Sequence, residues 1–136
     1  MQPPAAGHEQ PGRQRLWRLA VTQLAELEQT DPKLYSRWFS TPHLVRFPDG
    51  ESLQDLVLRA ADALRFVLQR HPEETVILVA HDSLNRALLI QLLDQPLSSF
   101  WRLAQEPCCI NEIDVADGCV RVLRVNETRH LTQGTT

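Results

Sequence analysis

The sequence of 136 residues lacks any uncharged apolar run near the ~20 residues that a membrane-spanning helix needs. The longest such run, Val76–Ala80, has the length of one buried strand, so no spanning helix is expected. Cysteine is scarce: Cys108, Cys109 and Cys119 are too few for a disulfide framework and read as reduced thiols. A basic cluster is also missing. The 14 Lys and Arg are scattered among 17 Asp and Glu, for a net charge of −3, which argues against a nucleic-acid partner. Met1–Gly12 has no apolar core and so does not read as a secretory signal. Together these absences imply a soluble, cytoplasmic protein with neither a membrane nor a nucleic acid as partner.

What is present is ordinary globular composition, 43% hydrophobic and 23% charged, sufficient for one domain. Prolines and polar residues make 1–13 a loose arm, residues 14–131 form the domain, and 132–136 are a frayed tail. Leu16, Ala20, Leu24 and Leu27 recur at helical spacing and predict a helix ending at Thr30. Asp31-Pro32 is a cap followed by proline at the first helical position, opening a short helix with Leu34, Tyr35 and Trp38. Phe39–Ser52 is a connection broken by Pro42, Pro48 and Asp49-Gly50.

Ser52 with Asp55 three residues on predicts a capped helix start, and Leu53, Leu56, Val57, Ala60, Leu64, Val67 and Leu68 form its apolar stripe. His71-Pro72 stops that helix. Thr75–Ala80 is continuously aliphatic and β-branched, as in a strand buried on both faces of a parallel sheet. A helix over Leu84–Leu93, a short helix over Pro96–Leu103 capped near Ser98, and two strands flanking Ala116-Asp117-Gly118 complete the chain.

Chemistry concentrates where the strand-like run ends, at His81-Asp82-Ser83-Leu84-Asn85-Arg86. In open α/β sheets, ligands bind beyond the carboxyl ends of the strands. The free N–H groups of a following helix suit an anion, phosphate above all. His81 there can donate a hydrogen bond to a phosphoryl oxygen or transfer a proton, or it can be a structural histidine ending the strand. Arg86, one turn into the helix, can reach an anion, though a solvated or ion-paired arginine is the commoner outcome. No Gly-x-Ser-x-Gly elbow surrounds Ser83, which argues against a serine nucleophile. The adjacent cysteines suit one tetrahedral ion poorly and no Cys-x-x-Cys pair occurs, so no metal and no cofactor are expected.

Val79-Ala80-His81-Asp82-Ser83-Leu84-Asn85-Arg86-Ala87-Leu88-Leu89 resembles the second-histidine motif of the histidine phosphatase superfamily, also called phosphoglycerate-mutase-like. Phe47-Pro48-Asp49-Gly50-Glu51-Ser52 is similar to that family's Pro-Gly-Gly-Glu-Ser helix start. Pro96–Arg102, Asn111–Asp114 and Asn126–Leu131 follow in the family's order, so about Asp31 to Leu131 is covered. The resemblance implies phosphomonoester hydrolysis without a metal. A histidine in an Arg-His-Gly motif on the first strand attacks phosphorus, while two arginines and a second histidine cradle the phosphoryl oxygens. An acid protonates the leaving group and water releases phosphate.

Carried over residue by residue, His81 matches the second histidine and Ser83 lies at the phosphate-binding turn. Glu51 matches the glutamate near the pocket mouth, where it contacts substrate, pairs with an arginine, or serves as a helix-start acid, the reading favoured here. No Arg-His-Gly occurs in the sequence, and the second pocket arginine has no counterpart. The leaving-group acid has none at good spacing either; Glu9 is the nearest. The expected fold is therefore an α/β, truncated three-layer α/β/α sandwich, phosphoglycerate-mutase-like and lacking the first strand. The expected ligand is a phosphorylated small molecule or inorganic phosphate. The alternative is a non-catalytic remnant or pseudoenzyme that binds an anion or pairs with another chain. Self-association through the Thr75–Ala80 edge is expected because an unpaired apolar edge is a template for pairing.

Overall fold

The computed structural model describes residues 24–132, and the chain divides into two units between Ser40 and Thr41. The arm, the helix start at Leu16, Glu9 and residues 133–136 lie outside the described residues.

In the first unit, helix α1 (residues 24–30) ends at Thr30, whose hydroxyl donates to the Glu26 carbonyl at 2.8 Å. Helix α2, Pro32–Ser40, starts as its sequence dictates. The Asp31 carboxylate accepts the Leu34 N–H at 3.0 Å, and Pro32 takes a position whose N–H would have no helical partner. Tyr35 and Phe39, one turn apart, meet edge to face at 5.0 Å, and Trp38 is buried.

The second unit opens with a 3-10 turn, Pro42–Leu44, and a tight reversal closed by an antiparallel bridge between Arg46 and Ser52. Gly50 donates to the Phe47 carbonyl at 3.1 Å, and a Cβ on it would stand 2.8 Å from the Phe47 Cβ, so the reversal requires glycine there. Helix α3, Leu53–Arg70, carries a complete capping box: the Ser52 Oγ accepts the Asp55 N–H, and the Asp55 carboxylate accepts the Ser52 N–H. The chain leaves the helix at His71, whose N–H still reaches the Val67 carbonyl, and Pro72 follows.

Helix α4, Asp82–Leu92, begins two residues earlier than the apolar pattern suggests. It packs on α3, and each helix contributes a fully buried alanine, Ala60 and Ala87. The Gln91 amide crosses between them to the Val57 carbonyl at 3.0 Å. A 3-10 helix, Leu97–Arg102, packs against α4 and against Pro42–Leu44 and buries Phe100. Its N-cap is Pro96, with no side-chain capping bond, rather than a residue near Ser98.

Strands β1, Ile110–Ala116, and β2, Cys119–Glu127, form an antiparallel two-stranded sheet. Asp117 (φ 52°) and Gly118 (φ 74°) turn between them with both central residues left-handed, the geometry that matches strand twist. Helix α5, Arg129–Thr132, ends the described chain. The architecture is α/β with a small sheet.

Two expectations fail. Residues 75–80 form no strand: they make no backbone hydrogen bond among the described residues, and Ile77 and Val79 are 85% and 95% exposed. A β-branched run favours extended backbone, but a strand exists only through a neighbour's ladder. Among the described residues the hairpin pairs only with itself and supplies none. For the same lack of covering surface, the α3 stripe is buried only at Leu53 and Ala60, half-buried at Leu56, Val57, Leu64 and Val67, and exposed at Leu68.

Candidate functional site

The end of the 75–80 run and the first turn of α4 bring three of the four candidate residues together. His81 is the N-cap of α4, with extended backbone (φ −76°, ψ 161°), and its carbonyl accepts the Asn85 N–H at 3.0 Å. The imidazole makes no capping bond to the helix and is exposed. A helix start presents N–H groups and the positive end of the helix dipole, so this corner favours negative charge.

That charge is partly supplied by the chain itself. Asp82, the first helical residue, accepts the Ser83 N–H on Oδ1 at 2.7 Å and the Ser83 hydroxyl on the same oxygen at 3.3 Å. Its Oδ2 pairs with the Arg86 guanidinium one turn on. Sequence reasoning gave Asp82 no role. Its spacing of four from Arg86 is the signal that could have found the pair, because residues i and i+4 share a helix face.

Arg86 is buried, and two of its guanidinium nitrogens meet protein groups. Its Nε donates to the Leu103 carbonyl at 2.9 Å, and its guanidinium carbon lies 4.9 Å from the Trp101 ring centroid and 5.8 Å from that of Phe100. Of the outcomes open in the sequence, anion, solvent or ion pair, the structure shows the ion pair, with Asp82.

Glu51 stands elsewhere on the chain, half-buried, with its carboxylate 2.8 Å from Arg59 on α3. It pairs with an arginine rather than merely facing the helix start. Near it in sequence, His43, Val45, Arg46, Ser52 and Asp55 line a shallow depression that includes none of His81, Ser83 or Arg86. The His43 Nδ1 is buried there without a hydrogen-bond partner among the described residues. Asp55 holds its proton weakly. Hydrogen bonds from the Ser52 hydroxyl and N–H, aided by the Arg46 charge, keep its carboxyl below the usual aspartate value.

Among the described residues no group of three or more His, Cys, Asp or Glu is placed to hold a metal ion, and no helix is long and apolar enough to cross a membrane. The three cysteines are free thiols.

The family model for the histidine phosphatase superfamily (branch 1) matches residues 18–128. Phosphoserine phosphatase 1 of Hydrogenobacter thermophilus is 33% identical over 106 residues, covering 78% of this chain and 50% of that protein. Among solved structures, Bacillus stearothermophilus YhfR superposes with a TM-score of 0.74 at 28% identity, covering 79% of this chain and 54% of that one. A mutant phosphoserine phosphatase from Entamoeba histolytica, solved with phosphoserine, superposes with a TM-score of 0.66 over 76% of this chain and 53% of its own; at 17% identity it speaks to fold alone. The chain thus spans about half the length of these relatives.

Proposed function

Because this chain belongs to the histidine phosphatase superfamily (branch 1), we propose that it contributes a phosphate-holding corner to phosphomonoester hydrolysis, with a phosphorylated small molecule as ligand. His81 donates a hydrogen bond to a phosphoryl oxygen, and N–H groups of the first turn of α4, shaped by the hold of Asp82 on Ser83, supply further donors. The observation that supports this most is the place of His81: it is the exposed N-cap of α4, inside the matched span. In the full reaction a histidine nucleophile forms a P–N bond as the ester P–O bond breaks, and water then attacks the phosphohistidine. The 136 residues contain no Arg-His-Gly triplet, so that step is assigned to none of them.

The test is a titration of the purified chain with inorganic phosphate, followed by amide NMR shifts. The amides of residues 82–85 move first, and His81→Ala weakens the binding. In parallel, the chain hydrolyses an aryl phosphate negligibly. Amides that stay still at 82–85 while others move would remove the proposed corner, and turnover abolished by His81→Ala would assign His81 a larger role.

A second reading is favoured by the exposure of Ile77 and Val79: a non-catalytic chain that pairs with another copy through residues 75–80.

A further inference from the structure

We propose that Arg86 is a positioning residue and not an anion ligand: it holds and neutralises Asp82, and through Asp82 it fixes Ser83 beside His81. The inference rests on the phosphate reading above. Two nitrogens of the guanidinium and one of its faces meet protein groups. One donor edge meets the Asp82 carboxylate, Nε meets the Leu103 carbonyl at 2.9 Å, and the Trp101 ring lies 4.9 Å away. With the side chain only 11% exposed, little of the guanidinium is open to an incoming anion.

Asp82 in turn is a bridge between two partners. Its Oδ2 faces Arg86, and its Oδ1 receives both the N–H and the hydroxyl of Ser83. The carboxylate itself is half-exposed, next in sequence to His81. Left uncompensated, it would repel any phosphate drawn to the start of α4. Paired with the guanidinium, it keeps its geometric hold on Ser83 while much of its field is cancelled. The Leu103 carbonyl and the aromatic rings fix the guanidinium from the far side, so the 3-10 helix Leu97–Arg102 also braces the first turn of α4.

A direct ligand and a positioning residue differ in one measurable way. If Arg86 touches phosphate, its loss weakens binding whether or not Asp82 is charged. If it acts through Asp82, the loss depends on that carboxylate, and the two substitutions are not additive. Phosphate affinity is therefore measured for the wild type, Asp82→Asn, Arg86→Met and the double variant. Arg86→Met should weaken phosphate about tenfold when Asp82 is present, and less than about twofold in the Asp82→Asn background. Equal losses in both backgrounds, or no loss in either, would overturn the proposal. If Arg86→Met does not fold, Arg86→Lys keeps a charge but not the fork that spans Asp82 and Leu103, and the same asymmetry is expected at smaller amplitude. If the wild-type chain binds no phosphate, the functional reading fails by itself. The positioning role is then decided without ligand, by hydrogen exchange at the Ser83 amide. Arg86→Lys should speed that exchange, with no further gain in the Asp82→Asn background; unchanged exchange overturns it.

Discussion

Asp55 is asked to do three things with one oxygen. Its Oδ2 accepts the Ser52 N–H at 2.9 Å, the Ser52 hydroxyl at 2.7 Å and the Arg46 guanidinium at 3.0 Å. The Ser52 hydroxyl bond contributes most to keeping its carboxyl below 3.8, followed by the backbone bond. The folded chain therefore binds fewer protons at this site than the unfolded chain. The stabilisation is complete above the unfolded value and is lost as pH falls through it toward the folded one. Ser52→Ala should cost about 1 kcal/mol at neutral pH, the usual cost of a lost N-cap. Urea melts from neutral pH down to about pH 3 check the linkage: the variant should lose stability less steeply on acidification than the wild type. Identical acid slopes would show that Asp55 does not depend on the cap. This site was legible because its geometry lies within four consecutive residues. The Asp82–Arg86 pair was half legible: the spacing is visible in the sequence, but the Leu103 carbonyl that fixes the arginine is seventeen residues away.

At the scale of elements, the hairpin is held to the preceding loop by amides rather than by apolar packing. The Asn111 Oδ1 accepts the Gln105 Nε2 and the Asn126 N–H, both at 3.0 Å, while its Nδ2 donates to the Gln105 Oε1 at 2.7 Å. Asn126 passes the connection on, its Oδ1 accepting the Glu106 N–H at 2.7 Å. Gln105 is buried, and Asn111→Ala removes one partner from each end of its amide, leaving Nε2 on the Ala104 carbonyl and Oε1 with the Cys109 thiol, at a cost of about 1 kcal/mol. Hydrogen exchange at Asn126 should accelerate before exchange in α3; a uniform change along the chain would mean that Asn111 does not act locally. Sequence patterns revealed the hairpin, because its turn residues and alternation are local, but not this network. Asn and Gln carry no periodicity, and their partners are set by how the loop folds back. Residues 75–80 show the opposite error. Their composition names a strand, but a strand needs a paired neighbour, and none lies beside them among the described residues.

For the whole molecule, that unpartnered run decides how the chain should behave in solution. Ile77 and Val79 are almost wholly exposed, and Val76 and Leu78 are 38% and 48% exposed, so aliphatic surface is open along the whole run. Apolar surface left in water forgoes roughly 25 cal/mol for each Å² that could be buried. An unpaired edge also offers hydrogen-bonding groups to any extended segment. A second copy brings the same features, and a short aliphatic strand pairs with itself without unlike charges to match. The chain is expected to self-associate as its concentration rises, with 75–80 in the contact. Val79→Lys is the sharp test. The side chain buries almost nothing in the folded chain, so the substitution should leave the thermal melt of the monomer nearly unchanged. Placed in a strand–strand contact, the new charge must be desolvated, so light scattering should show a shift toward monomer. A wild-type chain that stays monomeric at every concentration, or a Val79→Lys chain that associates equally well, would place the contact elsewhere or remove it. If association is lost while the melt holds, the exposed run is a pairing surface and not a defect of packing, because a packing defect would respond through the melt.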